Sequence, residues 1–206
     1  MSKRHRGEQP SWLGFYRITA NSPPASTLTK ALSLFDADAS SRKRRFAIDL
    51  GCGAGRDTFE LLRRGWRVLA IDNQPEALRS IRSAVPRIYR TRLQTRLGSF
   101  ESLGLPKCDL INGSASLPFC APDHFKAFWG VIVTSLRSGG RFAGHFFGVH
   151  DEWARSTEMT FHTASQVRSI LASLATEFFK EEEYDGTTAS GRKKHWHVFS
   201  VVARKA

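Results

Sequence analysis

The feature that most restricts this chain is a short apolar run over residues 46–50 that passes without a break into Gly51-Cys-Gly-Ala-Gly55. Helical spacing resumes at residues 58–64 and stops at Gly65. Three glycines in five residues allow a sharp turn and let a ligand approach bare main chain. A strand before such a turn and a helix after it belong to a sheet whose strands alternate with covering helices.

The rest of the chain keeps that alternation. Residues 67–71 read as a second strand ending on Asp72, and Pro75 opens the next helix. Over residues 92–97, Leu93, Thr95 and Leu97 share one face and Arg92, Gln94 and Arg96 the other, as in a half-exposed edge strand. Residues 109–112 and 141–147 read as further strands. The helix between them starts at Pro122, aligns Phe125, Phe128, Trp129, Ile132 and Leu136 in one stripe, and is expected to end at Ser138-Gly139-Gly140. Thr163 and Gln166 form a capping box ahead of another helix, and residues 177–184 and 195–203 close the chain as an antiparallel hairpin. A leading helix over residues 26–35 precedes the first strand. These seven strand-like runs predict an α/β fold, a Rossmann-like, mostly parallel seven-stranded sheet with helices on both faces and a C-terminal antiparallel hairpin. A length of 206 residues fits one domain spanning 1–206.

Composition narrows the function. The longest nearly uncharged apolar stretch, residues 127–136, is far shorter than the roughly 18 residues of a membrane span. The basic start is followed by Gly7-Glu8-Gln9-Pro10 and no apolar segment, so a secretion signal is not expected. Three cysteines without paired spacing argue against a disulfide framework or structural zinc, and a reducing cytoplasmic setting fits. The formal net charge is +12; nine basic against three acidic residues lie in 1–45, and nine arginines against two acids in 63–96. Such a surface attracts nucleic acid at low salt, so an RNA substrate is an alternative to weigh, but solubilising arginines on exposed helix faces are the preferred reading.

The glycine spacing is GxGxG followed by Arg56, so the GxGxxG fingerprint of nicotinamide and flavin proteins is incomplete. Asp49 places a carboxylate just before the loop, where it suits a ligand bearing an amino group. Asp72, at the end of the second strand, suits a pair of ribose hydroxyls. S-adenosylmethionine meets these requirements. It offers an ammonium for Asp49, a carboxylate for the helix amides that begin at Arg56, and a ribose for Asp72.

The run AIDLGCGAGRDTFELLRRGWRVLAIDNQPEAL, residues 47–78, resembles the first two motifs of class I S-adenosylmethionine-dependent methyltransferases. CDLINGSASLPF, SGGRF and residues 194–204 are similar to the later strands of that class, so about 160 of the 206 residues are covered. The "GRD" after the glycines and the "KHWH" near the end resemble the tellurite-resistance-type branch, whose members methylate small soft nucleophiles. By position the resemblance implies that Asp49, Gly51, Gly53 and Gly55 hold the methionine part, Asp72 and Asn73 the ribose, and Ser99 and Phe100 the adenine. Arg56 and Asn112 complete the expected cofactor shell. Where this chain has Ser99, the class often has an acid.

Methyl transfer from a sulfonium is an in-line displacement, so the protein chiefly positions and desolvates its two partners. Residues 112–115 read Asn-Gly-Ser-Ala and lack the Asn/Asp-Pro-Pro-aromatic run of enzymes acting on planar amino groups. His145 and His150, at the end of the fifth strand, are the candidate catalytic residues. His195 and His197 share a strand face, but no third and fourth ligand is evident, so no metal site is expected. Glu181-Glu182-Glu183 reads as a charged guard on a sheet edge. Trp12, Phe15, Tyr16 and Arg17 lie in a basic N-terminal segment, residues 1–25, expected to cap the cofactor. The resulting expectation is a methyltransferase acting on a small-molecule nucleophile such as a thiol or metalloid anion. An RNA methyltransferase and a non-catalytic S-adenosylmethionine-binding scaffold are the alternatives.

Overall fold

The computed structural model describes residues 12–19, 22–38 and 45–206. Residues 1–11 and 39–44, which hold most of the basic start and of the 42–45 run, lie outside the described residues, as do the side chains of Trp12, Phe15 and Arg17.

Successive residues of the central strands pack on opposite faces. In β1 (Phe46–Leu50), Ala47 joins one buried cluster and Ile48 and Leu50 the other. On one face, α5 (Pro122–Ser135) lays Phe128, Trp129 and Ile132 over Ile48, Ile111, Phe142 and Phe146. On the opposite face, α2 (Ser26–Ala37) and α3 (Arg56–Arg63) bring Leu28, Leu32, Leu61 and Leu62 to Ala47, Leu110, Ala143 and Val202. Burying both faces explains why β1 and β4 (Cys108–Gly113) show no apolar/polar alternation, with even Asp49, Asp109 and Asn112 buried.

Among the described residues the sheet has eight strands, in the order β3-β2-β1-β4-β5-β8-β7, with β6 paired to β5 off that path. β2 is Arg67–Asp72, β3 Leu93–Leu97, β5 Leu136–Gly148, β6 Phe161–His162, β7 Ala175–Thr187 and β8 Lys193–Arg204. β1 to β6 pair in parallel, and β8 is antiparallel to both neighbours. The seven expected strands are all present. The eighth, β6, has only two residues and is too short to leave a periodic signal.

A second difference concerns α5. No glycine-terminated loop follows it; the chain turns into β5 at Leu136, and Ser138 to Gly140 lie inside the strand. Gly139 takes φ +75° there, and a Cβ on Gly140 would meet Arg137 O at 2.8 Å and Asp109 O at 3.0 Å. These glycines therefore permit a kink within a strand. The remaining helices are α1 (Trp12–Thr19), α4 (Pro75–Ala84) and α6 (Ala164–Ile170), and the Thr163/Gln166 capping box opens α6 as expected.

The two outer strands differ in charge. β3 runs beside Arg87, Arg90 and Arg92, whereas β7 carries Glu181, Glu182, Glu183 and Asp185. Among the described residues no helix is long and apolar enough to cross a membrane.

Candidate active site

The parallel strands end around a cavity of about 220 Å³ beside β1. Parallel register aligns the ends of β1 and β4, with Asp49 opposite Asn112. Gly51 and Gly53 have φ +64° and +52°, which only glycine adopts without strain. A Cβ on Gly51 would lie 2.4 Å from Ser116 Cβ, so this glycine lets the loop after β4 close onto the loop after β1. Ser116 fastens that approach by donating its hydroxyl to Leu50 O at 2.7 Å.

Beneath the glycine loop, two carboxylates are joined by one amide. Asn112 Nδ2 donates to Asp49 at 2.8 Å and to Asp57 at 3.0 Å, while Thr58 donates to the other Asp49 oxygen at 2.6 Å. Asp57 also accepts from the Ala25 amide at 2.9 Å and from Arg56 through two nitrogens at 2.9 and 3.0 Å. Burial opposes ionisation of Asp57, yet Arg56, the Ala25 amide and Asn112 hold its carboxyl below the usual range. Asp49 is pushed up to about 7, first by burial and then by the neighbouring Asp57 charge.

Asp72 ends β2 and accepts from the amides of Gly53 and Gln74, each at 2.9 Å. The Tyr16 hydroxyl reaches it at 3.4 Å, and the Tyr16 ring lies 3.3 Å from where a Gly53 Cβ would stand. α1 thus lays a buried aromatic ring over the glycine loop. Burial, followed by Asp72, drives the Tyr16 pKa above its ordinary value.

Of the residues expected to hold a cofactor, Asp49, Gly51, Gly53, Arg56, Asp72, Asn73, Ser99 and Phe100 line the cavity. Gly55 and Asn112 stand behind the lining. Gly55, at φ +94°, allows α3 to pack on α4, where a Cβ would meet Ile81 at 2.8 Å. Asn112 acts on the cavity through the two carboxylates it holds. Two residues beyond Ser99, Glu101 supplies an acid on the cavity wall.

The two candidate catalytic histidines are not on that wall. His145 Nδ1 accepts the Ala115 amide at 3.1 Å, and burial followed by Arg56 lowers its pKa to about 4, so it is a neutral support for the loop after β4. Ala115, at φ +54°, is the only non-glycine residue of positive φ among those described. His150 is largely exposed and pairs with Glu183 at 3.0 Å. Cys52, in the glycine loop, is buried, which raises its thiol well above the ordinary value and makes it a packing group.

His150, Glu183 and His197 place ligand atoms within 4.8 Å of one another, a convergence that residue spacing alone did not reveal. Both His197 ring nitrogens already have protein partners: Nδ1 accepts the His150 amide at 3.2 Å and Nε2 faces Glu181 at 3.0 Å. The cluster therefore closes the hairpin onto the end of β5.

The far side of the cavity consists of residues that residue pattern did not bring together. Phe119, Phe147, Trp153 and Trp196 line it, from four separate stretches of chain. Behind them lies a buried ion pair. Lys194 Nζ sits 2.5 Å from both Asp151 oxygens, and both side chains are fully buried. The "KHWH" run signalled this region, but only the fold shows that Lys194 and Trp196 face one way while His195 and His197 face the other.

A mostly parallel sheet with this strand order, a glycine loop after β1 and acids at the ends of β1 and β2 make up the class I methyltransferase fold. Residues 47–140 match the family described as methyltransferase domain. Solved structures agree on the fold. TehB from Haemophilus influenzae has a TM-score of 0.71 at 13% identity, with 88% of this chain and 62% of that chain covered. An S-adenosylmethionine-dependent methyltransferase from Mesorhizobium loti has a TM-score of 0.64 at 18% identity, covering 88% and 99%. The 1,6-didemethyltoxoflavin-N1-methyltransferase of Burkholderia thailandensis, solved with S-adenosylhomocysteine, has 0.62 at 21%, covering 88% and 79%. This chain thus spans less than two thirds of the TehB chain. No curated protein matches in sequence.

Proposed function

We propose that this chain transfers the methyl group of S-adenosylmethionine to a small-molecule nucleophile of the thiol or metalloid-anion kind. One observation carries the reading. Among the described residues the cavity wall holds four carboxylates, Asp49, Asp57, Asp72 and Glu101, against one cation, Arg56, in a chain of net charge +12. A pocket that opposes the charge of its own protein is built for a cation, and the methyl donor carries net +1.

The residues fit that donor. Asp49 and Asp57 attract its ammonium, and the amides at the start of α3 face its carboxylate. Asp72 and Asn73 take the ribose. Because the Tyr16 hydroxyl holds Asp72 more loosely than the two amides do, it is the group that yields to a ribose hydroxyl. Ser99, Phe100 and Glu101 border the adenine. When bound, the donor supplies an electrophilic methyl group on a sulfonium; the chain orients it, neutralises it and excludes water. α1, which carries Tyr16, closes over the donor within a single domain. Three free, buried cysteines suit a reducing compartment, and we place the protein in the cytosol.

Thermal unfolding tests the reading. S-adenosylmethionine and S-adenosylhomocysteine should each stabilise the protein, by about 2.7 kcal/mol at a hundredfold excess over Kd, and a nicotinamide dinucleotide should not. A transfer assay then compares thiols, metalloid anions and bulk RNA. Stabilisation by the dinucleotide alone, or methylation confined to RNA, overturns the proposal.

A further inference from the structure

Resting on that methyltransferase reading, we propose that the aromatic wall of the cavity is an acceptor subsite for a flat aryl or heteroaryl thiolate. The sheet order separates two chemistries. Asp49 and Asp72 stand at the ends of β1 and β2 and Asp57 at the start of α3, whereas Phe147 and Trp196 belong to β5 and β8, on the other side of β4. The acceptor end is thus apolar and aromatic, and the donor end anionic.

The wall is also fixed in place. Trp153 and Trp196 lie 5.6 Å apart between ring centroids, Phe147 and Trp196 5.7 Å, and Phe119 and Trp153 6.4 Å. Lys194 Nζ sits 3.5 Å from the Trp196 centroid and 4.3 Å from that of Trp153. Asp151 grips Lys194 and accepts the Trp153 amide at 2.9 Å, so one buried carboxylate ties the loop bearing Trp153 to the hairpin bearing Trp196. Rings held at these angles favour a planar guest that offers a face or an edge to each.

Charge decides between acceptors. A metalloid oxyanion requires charged hydrogen-bond donors, but Arg56 grips Asp57 with two nitrogens and the Lys194 ammonium is buried on Asp151. Among the described residues no histidine lines the cavity, so a thiol that arrives protonated, as an aliphatic thiol near pKa 8.5 does, meets no imidazole base from them. Conjugation with a ring acidifies a thiol, so an aryl thiol reaches the wall already ionised, its proton left in solvent. Its sulfur lone pair forms the new sulfur–carbon bond while the donor's sulfonium–methyl bond breaks and leaves its electron pair on the donor sulfur. Opposite charges cancel in that displacement, which an apolar, water-excluding wall accelerates.

The test uses untagged full-length protein with thiophenol, 2-mercaptoethanol and selenite, read as S-adenosylhomocysteine release. Thiophenol should exceed the other two in kcat/KM by at least about tenfold, with a flat rate profile from pH 7 to 9. Trp196→Leu and Trp153→Leu should each raise KM for thiophenol about tenfold or more while thermal stabilisation by S-adenosylhomocysteine persists. Phe119→Leu, outside the rings that Lys194 contacts, repeats the measurement should a tryptophan variant fail to fold. Equal turnover of selenite or 2-mercaptoethanol, or unchanged KM in the folded variants, overturns the subsite. Stabilisation by S-adenosylhomocysteine without thiophenol turnover also overturns it and leaves the donor site standing. Absence of that stabilisation in the unmodified protein removes the methyltransferase reading and the subsite together.

Discussion

Replacing Lys194 with Met tests how the aromatic wall is held. The substitution nearly preserves length and removes the ammonium that lies 2.5 Å from both oxygens of Asp151. Neither side chain has any exposure, so the Asp151 charge is left without a cation and without water. Breaking a buried pair by removing one partner costs about 3–5 kcal/mol. Asp151 still accepts the amides of Trp153 at 2.9 Å and His197 at 3.3 Å, which places the expected loss at the lower end, about 3 kcal/mol. With a urea dependence of roughly 2–3 kcal/mol per molar, the unfolding midpoint should fall by about 1 M or more. Adding Asp151→Asn to Lys194→Met removes the stranded charge, so the double variant should be more stable than the sum of the single losses by about 2 kcal/mol. A Lys194→Met loss below about 1 kcal/mol, or strictly additive losses, would refute the inference that this pair is dry and mutually dependent.

Two further outcomes are expected. Burial lowers both His145 and His162 to about 4, so below pH 6.5 the unfolded chain binds protons that the folded chain refuses, and stability falls with pH until about 4. At pH 5 each histidine should have cost roughly 2 kcal/mol relative to pH 7.5, and His162→Phe should flatten the pH dependence of the urea midpoint. Gly51→Ala places a Cβ 2.4 Å from that of Ser116 at a left-handed φ, which should lower stability by at least about 1–2 kcal/mol and abolish stabilisation by S-adenosylhomocysteine; an unchanged thermal shift with that ligand contradicts the role given to the loop.

Much of this architecture was legible because it is written in local pattern. The alternation of Arg92 to Leu97 marked an edge strand, Thr163 and Gln166 marked the start of α6, and the glycines after Leu50 marked the sharp turn between β1 and α3. Misreadings arose where local pattern and tertiary demand diverged. Ser138 to Gly140 carry the composition of a helix stop, but the pairing of β5 with β4 and β8 draws them into a strand. What His145 and His150 touch could not be read from sequence, because their partners Ala115 and Glu183 come from segments 30 and 33 residues away. The bond between Asn112 and Asp57 spans 55 residues, and Trp153 meets Trp196 across 43. No periodicity encodes such meetings.

The opposite charges of the outer strands give the molecule a polarity that its net charge conceals. Among the described residues arginines lie unmatched along one rim, whereas on the other Glu181, Glu182, Glu183 and Asp185 each face a basic partner, His197, Lys180, His150 and His195. Long-range attraction of anions to the arginine rim should therefore weaken as ionic strength brings the Debye length down to about 8 Å.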